Sequence, residues 1–256
     1  MMTRVRGLIL KVNKLSENDA LFTVLCEDMT KITVIAKGIR SMKHKSFAAM
    51  QQFCYNEFNL NGNGSFFSLS SADIINNFYN IRSGVDKLSF GAYICEVSKV
   101  ASEFLEGDNG FFRFILNCLY FVENAEKKAV GGDVLCELKR IKTIFELKTS
   151  SAAGFAPAID ECVRCGAKAE FDYFDIPSGG VVCKNCTGEK SVKIYPKLAA
   201  YLKFILTKDV KTVFNTAGLE KELVSDANYI TENYLQYRLE YYFKSLDYLK
   251  KVTENE

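Results

Sequence analysis

Cys162-Val163-Arg164-Cys165 and Cys183-Lys184-Asn185-Cys186 are the residues whose type and spacing specify chemistry most directly. The 17 residues 166–182 separate the two pairs, an interval expected of a four-cysteine zinc site. Two thiolates three positions apart on a tight turn grip one edge of a tetrahedral Zn²⁺ at about 2.3 Å, and the second pair must return to the opposite edge. Gly166 and Gly188 each follow a pair within two residues, where a knuckle needs φ > 0. Residues 171–174 and 181–182 read as short strands joined across Pro177-Ser178-Gly179-Gly180, a turn signal. The expectation is a zinc ribbon in which Cys162, Cys165, Cys183 and Cys186 hold one structural Zn²⁺. A catalytic zinc keeps an open position, and the single histidine, His44, lies far from the cluster in sequence. The HxE element of a nucleobase deaminase is absent. A redox dithiol pair is the alternative reading of the same cysteines.

The elements that must carry this ribbon change character along the chain. Residues 5–12, 20–26, 32–36, 53–60 and 66–70 alternate like strands, and Asn61-Gly62-Asn63-Gly64 marks a hairpin. Five strands in residues 1–80 predict a small barrel; an OB-fold is the commoner choice, and an SH3-like barrel has a similar strand count. Its aromatics Phe53, Tyr55, Phe58, Phe66 and Phe67 each read as core, since a small barrel must fill its interior. From about residue 85 the period becomes helical. Residues 111–122 are apolar on nearly all sides and predict a central buried helix. Residues 134–147 predict an amphipathic helix with Lys139, Arg140 and Lys142 on its polar side. Helices resume at Pro196, and residues 226–250 place Leu235, Leu239, Tyr242, Leu246 and Leu249 on one stripe. Residues 250–256 read as a frayed tail. The fold class is thus α+β and multidomain: a barrel over 1–80, a helical domain over 81–155 and 191–256, and the ribbon inserted at 156–190.

With 256 residues and a net charge of only +2, nothing global points to a polyanion, yet the charge is locally segregated. Between Asp28 and Glu57 no acidic residue occurs, while Lys31, Lys37, Arg40, Lys43 and Lys45 all do. A loop carrying Lys37, Arg40, Lys43 and Lys45 from a barrel can set cations against phosphates; the plainer reading is a solvated loop. Cys26, Cys54, Cys95, Cys118 and Cys136 read as buried free thiols. Together with a thiolate cluster they predict a reducing cytosol. The N-terminus carries no evident signal peptide and no stretch is long enough to span a membrane. No P-loop or GxGxxG appears, and no nucleophile–base arrangement stands out, so an enzyme is not the expectation.

The order of parts resembles the RecO family of bacterial recombination mediators over essentially the whole chain. The matching pieces are Ala36-Lys37-Gly38-Ile39-Arg40 with Lys45-Ser46, then Gln51-Gln52-Phe53, Gly154-Phe155-Ala156-Pro157 before the first cysteine pair, and Gly179-Gly180 before the second. The resemblance implies a non-enzymatic, nucleoid-associated cytoplasmic protein that binds single- and double-stranded DNA and anneals complementary strands. It further implies that RecR and the C-terminal tail of single-stranded-DNA-binding protein (SSB) are partners, with RecA loading as the indirect outcome. By the same resemblance Lys37, Arg40, Lys43 and Lys45 become phosphate contacts, with RecR an alternative partner for that surface. Phe47 departs from the family's Arg-rich continuation of the loop. The competing reading is a zinc-ribbon adaptor that binds protein and not DNA, and a third is a metal-dependent enzyme.

Overall fold

The computed structural model describes residues 2–168, 171–216 and 219–253, and the chain falls into two compact units, 1–123 with 245–256 and 124–244. In the first, β1 (Met2–Lys14), β2 (Ala20–Cys26), β3 (Lys31–Ala36), β4 (Tyr55–Asn63) and β5 (Phe66–Asn76) close a barrel in the order β1-β2-β3-β5-β4. Only β3 and β5 run parallel; β1 closes the barrel by pairing antiparallel with β4. This is an OB-fold. Inward residues such as Phe22, Val24, Val34, Phe58, Leu60 and Phe67 fill it, and alternate positions face out. The fourth strand starts at Tyr55 and not at Phe53, because Phe53 sits fully buried in a left-handed conformation, φ 72°.

Helices α1 (Val85–Ala101) and α2 (Asn109–Glu123) are tied to the barrel. Lys31 Nζ donates to Lys99 O at 3.0 Å and pairs with Glu103 at 2.8 Å. The Gly107 N–H donates to Asp28 O at 2.7 Å, and the Tyr55 ring lies 5.6 Å from that of Phe112. Contrary to expectation α2 is not buried all round: Phe111, Phe112, Phe114, Ile115, Cys118, Leu119 and Val122 face inward, while Arg113, Asn117 and Tyr120 are exposed.

The second unit holds α3 (Ala125–Lys128), α4 (Val134–Ala152), β6 (Tyr173–Asp175), β7 (Gly180–Val182), β8 (Ser191–Lys193), α5 (Pro196–Thr207), α6 (Val210–Asn215) and α7 (Lys221–Leu239). Its central buried helix is α4. The Asp133 carboxylate caps it by accepting from the Cys136 N–H at 2.9 Å. Gly154, at φ 87°, ends it: its N–H reaches Ser151 O and the Phe155 N–H reaches Ser150 O, the paired bonds of a Schellman motif. Arg140 and Lys142, expected at the surface, are buried. Arg140 forks onto Glu137 at 2.8 Å and donates to Val213 O and Phe214 O. Lys142 lies between Glu146 at 2.7 Å and Glu232 of α7 at 2.8 Å, and the Thr231 hydroxyl donates to Glu146 at 2.7 Å. Buried charge is tolerated where it is paired and hydrogen-bonded, so a polar-looking sequence face is here an internal seam.

The Leu235–Leu249 stripe does not lie on one helix. Glu240 adopts φ 48°, α7 stops at Leu239, and a new helix, α8 (Lys244–Thr253), follows. From Ser245 onward α8 belongs to the first unit, where the Ser245 N–H donates to Glu96 at 2.8 Å. Residues 250–253, expected to fray, are helical; 254–256 lie outside the described residues. Among the described residues no helix is long and apolar enough to cross a membrane.

Candidate metal centre and nucleic-acid interface

The 156–193 segment forms a three-stranded sheet in the order β7-β6-β8; the third strand, β8, was not anticipated from the sequence. Its knuckles follow from backbone bonds. The Gly166 N–H donates to Cys162 O at 2.8 Å with Gly166 at φ 72°, and the Cys186 N–H donates to Cys183 O at 2.9 Å. Gly188 serves differently from expectation. Its φ is not positive, but a Cβ there would lie 2.9 Å from Arg164 Nη2 and 3.2 Å from Asp175 Oδ2. The need is space, not torsion. Asp175, buried, accepts from the Ser178 N–H at 2.8 Å and the Ser191 hydroxyl at 2.6 Å and pairs with Arg164 at 3.3 Å. One carboxylate thus ties the first knuckle to the turn and to β8. Burial opposes ionisation of Asp175, but the Ser178 and Ser191 hydrogen bonds and Arg164 outweigh it and hold its pKa below the usual carboxylate value. The ribbon rests on α7, where Phe174 meets the Tyr234 ring edge-on at 5.5 Å and the Tyr234 hydroxyl donates to Phe155 O at 2.8 Å.

The four expected cysteines come together, with all four Sγ atoms within 4.8 Å of one another. A tetrahedron of sulfurs 2.3 Å from a central Zn²⁺ has edges of about 3.8 Å, and Cys165 Sγ lies 3.8 Å from Cys183 Sγ. The donor set therefore fits zinc in number, softness and size. The Cys183 N–H points at Cys162 Sγ, 3.5 Å away. Burial raises the Cys162 thiol, but amide N–H groups of Cys183, Cys165 and Arg164 bring it down to about 6. Hydrogen bonds from Cys183 and Cys165 push Cys186 up to about 12. Thiols this close resist joint ionisation unless a cation neutralises them. Elsewhere Cys26, Cys54, Cys95 and Cys118 are buried and Cys136 half-buried; burial raises each thiol, Cys26 to about 11.

In the first unit, Lys37, Arg40, Lys43 and Lys45 are all exposed on the connection from β3 to β4. The connection is a run of turns: the Ser41, His44 and Phe47 N–H groups donate to Gly38, Ser41 and His44 O at 3.2, 2.9 and 2.9 Å. The backbone so repeats every three residues, and Lys37, Arg40 and Lys43 each stand just before a junction between turns. Ile39 and Met50 anchor both ends in the barrel core. The β1–β2 loop buttresses the run, with the Gly38 N–H on Asp19 Oδ1 at 2.8 Å and Arg40 Nη1 on Ser16 O at 3.2 Å. Among the described residues none of the four cations is in an ion pair. His44 is half-buried and accepts the Ser46 N–H at Nδ1. The barrel aromatics separate: Phe53, Phe58 and Phe67 are core and Tyr55 is half-buried, whereas Phe66 is 68% exposed.

Two family profiles cover most of the chain. Residues 1–78 match the profile described as "Recombination protein O N terminal", and residues 82–247 match "Recombination protein O C terminal". The chain belongs to the RecO family. It is 28% identical to the "DNA repair protein RecO" of Clostridium novyi, over 99% of this chain and 96% of that protein. The protein of the same name from Acetivibrio thermocellus is 26% identical over 97% and 96%, and that of Alkaliphilus metalliredigens 27% over 98% and 100%. A RecO-family chain with an OB-fold and a four-cysteine ribbon is a DNA repair and recombination protein.

Proposed function

We propose that this chain is a non-enzymatic recombination mediator, cytoplasmic and associated with the nucleoid. In this reading it binds single- and double-stranded DNA through Lys37, Arg40, Lys43 and Lys45, anneals complementary strands and, with RecR, helps to load RecA onto strands coated by SSB, whose C-terminal tail it also binds. The observation that carries the reading is the exposed run of turns, which bears four cations that make no ion pair among the described residues and carries no acidic residue. Neutralised phosphates on two strands repel less and release counterions, so nucleation of a duplex becomes easier without a chemical step. Cys162, Cys165, Cys183 and Cys186 hold one Zn²⁺ whose work is to fold the ribbon.

The test is annealing of complementary oligonucleotides precoated with SSB, across a salt series. Four single-strand phosphate contacts give a log–log salt slope of about −2.8, hence roughly a 50-fold loss of affinity between about 50 and 200 mM salt. Faster annealing that fades on that slope, and that is lost in the Lys37/Arg40/Lys43/Lys45→Ala protein, is the expected result. No acceleration at any salt by folded, zinc-loaded protein would refute the mediator and leave a zinc-ribbon adaptor.

A further inference from the structure

The strand register brings a carboxylate to the root of the basic run. Ala20 of β2 pairs with Ala36 of β3, so Asp19 and Lys37 leave the sheet at the same end, each one residue beyond that pair. A carboxylate beside Lys37, Arg40, Lys43 and Lys45 is well placed for an ion pair, yet among the described residues Asp19 makes none with them. Its Oδ1 accepts the Gly38 N–H at 2.8 Å instead. Asp19 is itself fixed. Its N–H donates to Ser16 Oγ at 3.0 Å, and its carbonyl accepts the Leu15 and Ser16 N–H groups at 3.1 and 3.2 Å. Two more bonds join this loop to the run: the Arg40 N–H donates to Asn18 O at 3.1 Å, and Arg40 Nη1 to Ser16 O at 3.2 Å. At Gly38 φ is 65°, and a Cβ there would meet nothing within 4 Å. Torsion and not space therefore calls for glycine. That torsion sets the direction the chain takes between Lys37 and Arg40, and the Asp19 carboxylate holds it.

We propose that Asp19 is a positioning residue for the phosphate-binding cations: through the Gly38 N–H it fixes Lys37 and Arg40 in one orientation before a polyanion arrives. The proposal rests on the DNA-binding reading above and extends the site to the β1–β2 loop, whose residues 15–19 include no cation. Two effects of the carboxylate oppose each other. Its charge repels phosphate, whereas its hydrogen bond orders the run. An exposed carboxylate acting on surface charges changes affinity by at most about 5-fold. A residue whose backbone must instead be ordered on binding costs about 5- to 30-fold. Ordering is the larger effect, so this acidic side chain strengthens binding of a polyanion.

The sign of that effect is the test. A labelled oligothymidylate of about 16 nucleotides is titrated by anisotropy, at about 0.1 M salt, with full-length zinc-loaded wild type, Asp19→Asn, Asp19→Ala and Gly38→Ala. Asparagine keeps the acceptor oxygen and loses the charge, so Asp19→Asn should bind as tightly as wild type or up to about 5-fold more tightly. Asp19→Ala should bind about 5- to 30-fold more weakly, although it too removes a negative charge. Gly38→Ala leaves every charge in place but strains the same torsion, and should weaken binding in the same direction. Hydrogen exchange by mass spectrometry should show the amides of residues 38–41 faster in Asp19→Ala, unchanged in Asp19→Asn, and the rest of the barrel unchanged in both. Asp19→Ala that binds as tightly as Asp19→Asn is what charge alone requires, and it overturns the proposal. So does Asp19→Asn that binds as weakly as Asp19→Ala, or wild-type affinity in both alanine variants. In each of these cases strand binding by wild type leaves the DNA-binding reading standing. Absence of strand binding by wild type overturns that reading, and the proposal with it.

Discussion

Lys142 is the residue whose loss the second unit should feel most. Its ammonium sits 2.7 Å from Glu146 and 2.8 Å from Glu232, all three side chains almost entirely shielded from water. Lys142→Met fills much of the same volume with apolar atoms but leaves two buried carboxylates facing each other without their cation. Breaking a buried pair from one side costs about 3–5 kcal/mol, most of it uncompensated burial of the remaining charge. For a unit the size of 124–244, this lowers the melting temperature by roughly 10–20 °C. Replacing all three groups, Lys142→Met with Glu146→Leu and Glu232→Leu, removes the uncompensated charge, so most of the loss should be recovered. The assay is thermal unfolding of zinc-loaded full-length protein by calorimetry. A Lys142→Met protein melting within about 3 °C of wild type would refute the reasoning, as would a triple variant no more stable than the single one.

Two further outcomes follow from the ribbon. Chelation at neutral pH should release one Zn²⁺ per chain, read by a metallochromic dye, and Cys183→Ala should lower the midpoint of the second unit while leaving the salt slope of DNA binding unchanged; a changed slope from folded, zinc-loaded variant would assign the ribbon a direct DNA contact. Asp175 is held below its ordinary value of 3.8, so its contribution to stability is complete above that value and is lost as pH falls through the lower folded one. The stability difference between wild type and Asp175→Asn, measured by denaturant titration, should therefore be constant at and above pH ~5 and shrink in acid; a difference that grows on acidification would contradict the assignment.

The barrel was legible in the sequence because period-two alternation and the Asn61–Gly64 hairpin signal are local properties, and the metal centre because CxxC spacing encodes geometry. Other features depend on partners remote in sequence. Arg140 and Lys142 look like a solvent face until Glu232, Thr231 and the carbonyls of Val213 and Phe214 come within reach. The break after Leu239 has no glycine or proline to announce it; Glu240 takes the left-handed turn and Phe243, beyond it, is buried. Phe66 and Phe67 are adjacent aromatics of which only one can point inward, and the choice is made by the register that sets Phe67 opposite Val34. A strand parity read from Phe67 inward would have found Phe66 outward.

The placement of cations gives the functional reading its physical footing. A lysine already paired must give up that pair to meet a phosphate, so only cations without a partner lend their full charge to a polyanion. Lys31 is held by Glu103, Arg4 and Arg6 share Glu57, and Arg140 and Lys142 are locked in the interior of α4. Lys37, Arg40, Lys43 and Lys45 differ from all of these: they stand exposed on turns whose backbone bonds are already satisfied. A net charge of +2 conceals this separation of roles. Redistribution of partners, with no change in net charge, should therefore be enough to abolish binding. Exchanging Ser41 for Glu together with Glu106 for Gln keeps the total at +2 yet sets a carboxylate among the four cations. The Glu106→Gln change alone, which removes a negative charge elsewhere, should leave the salt slope where it is.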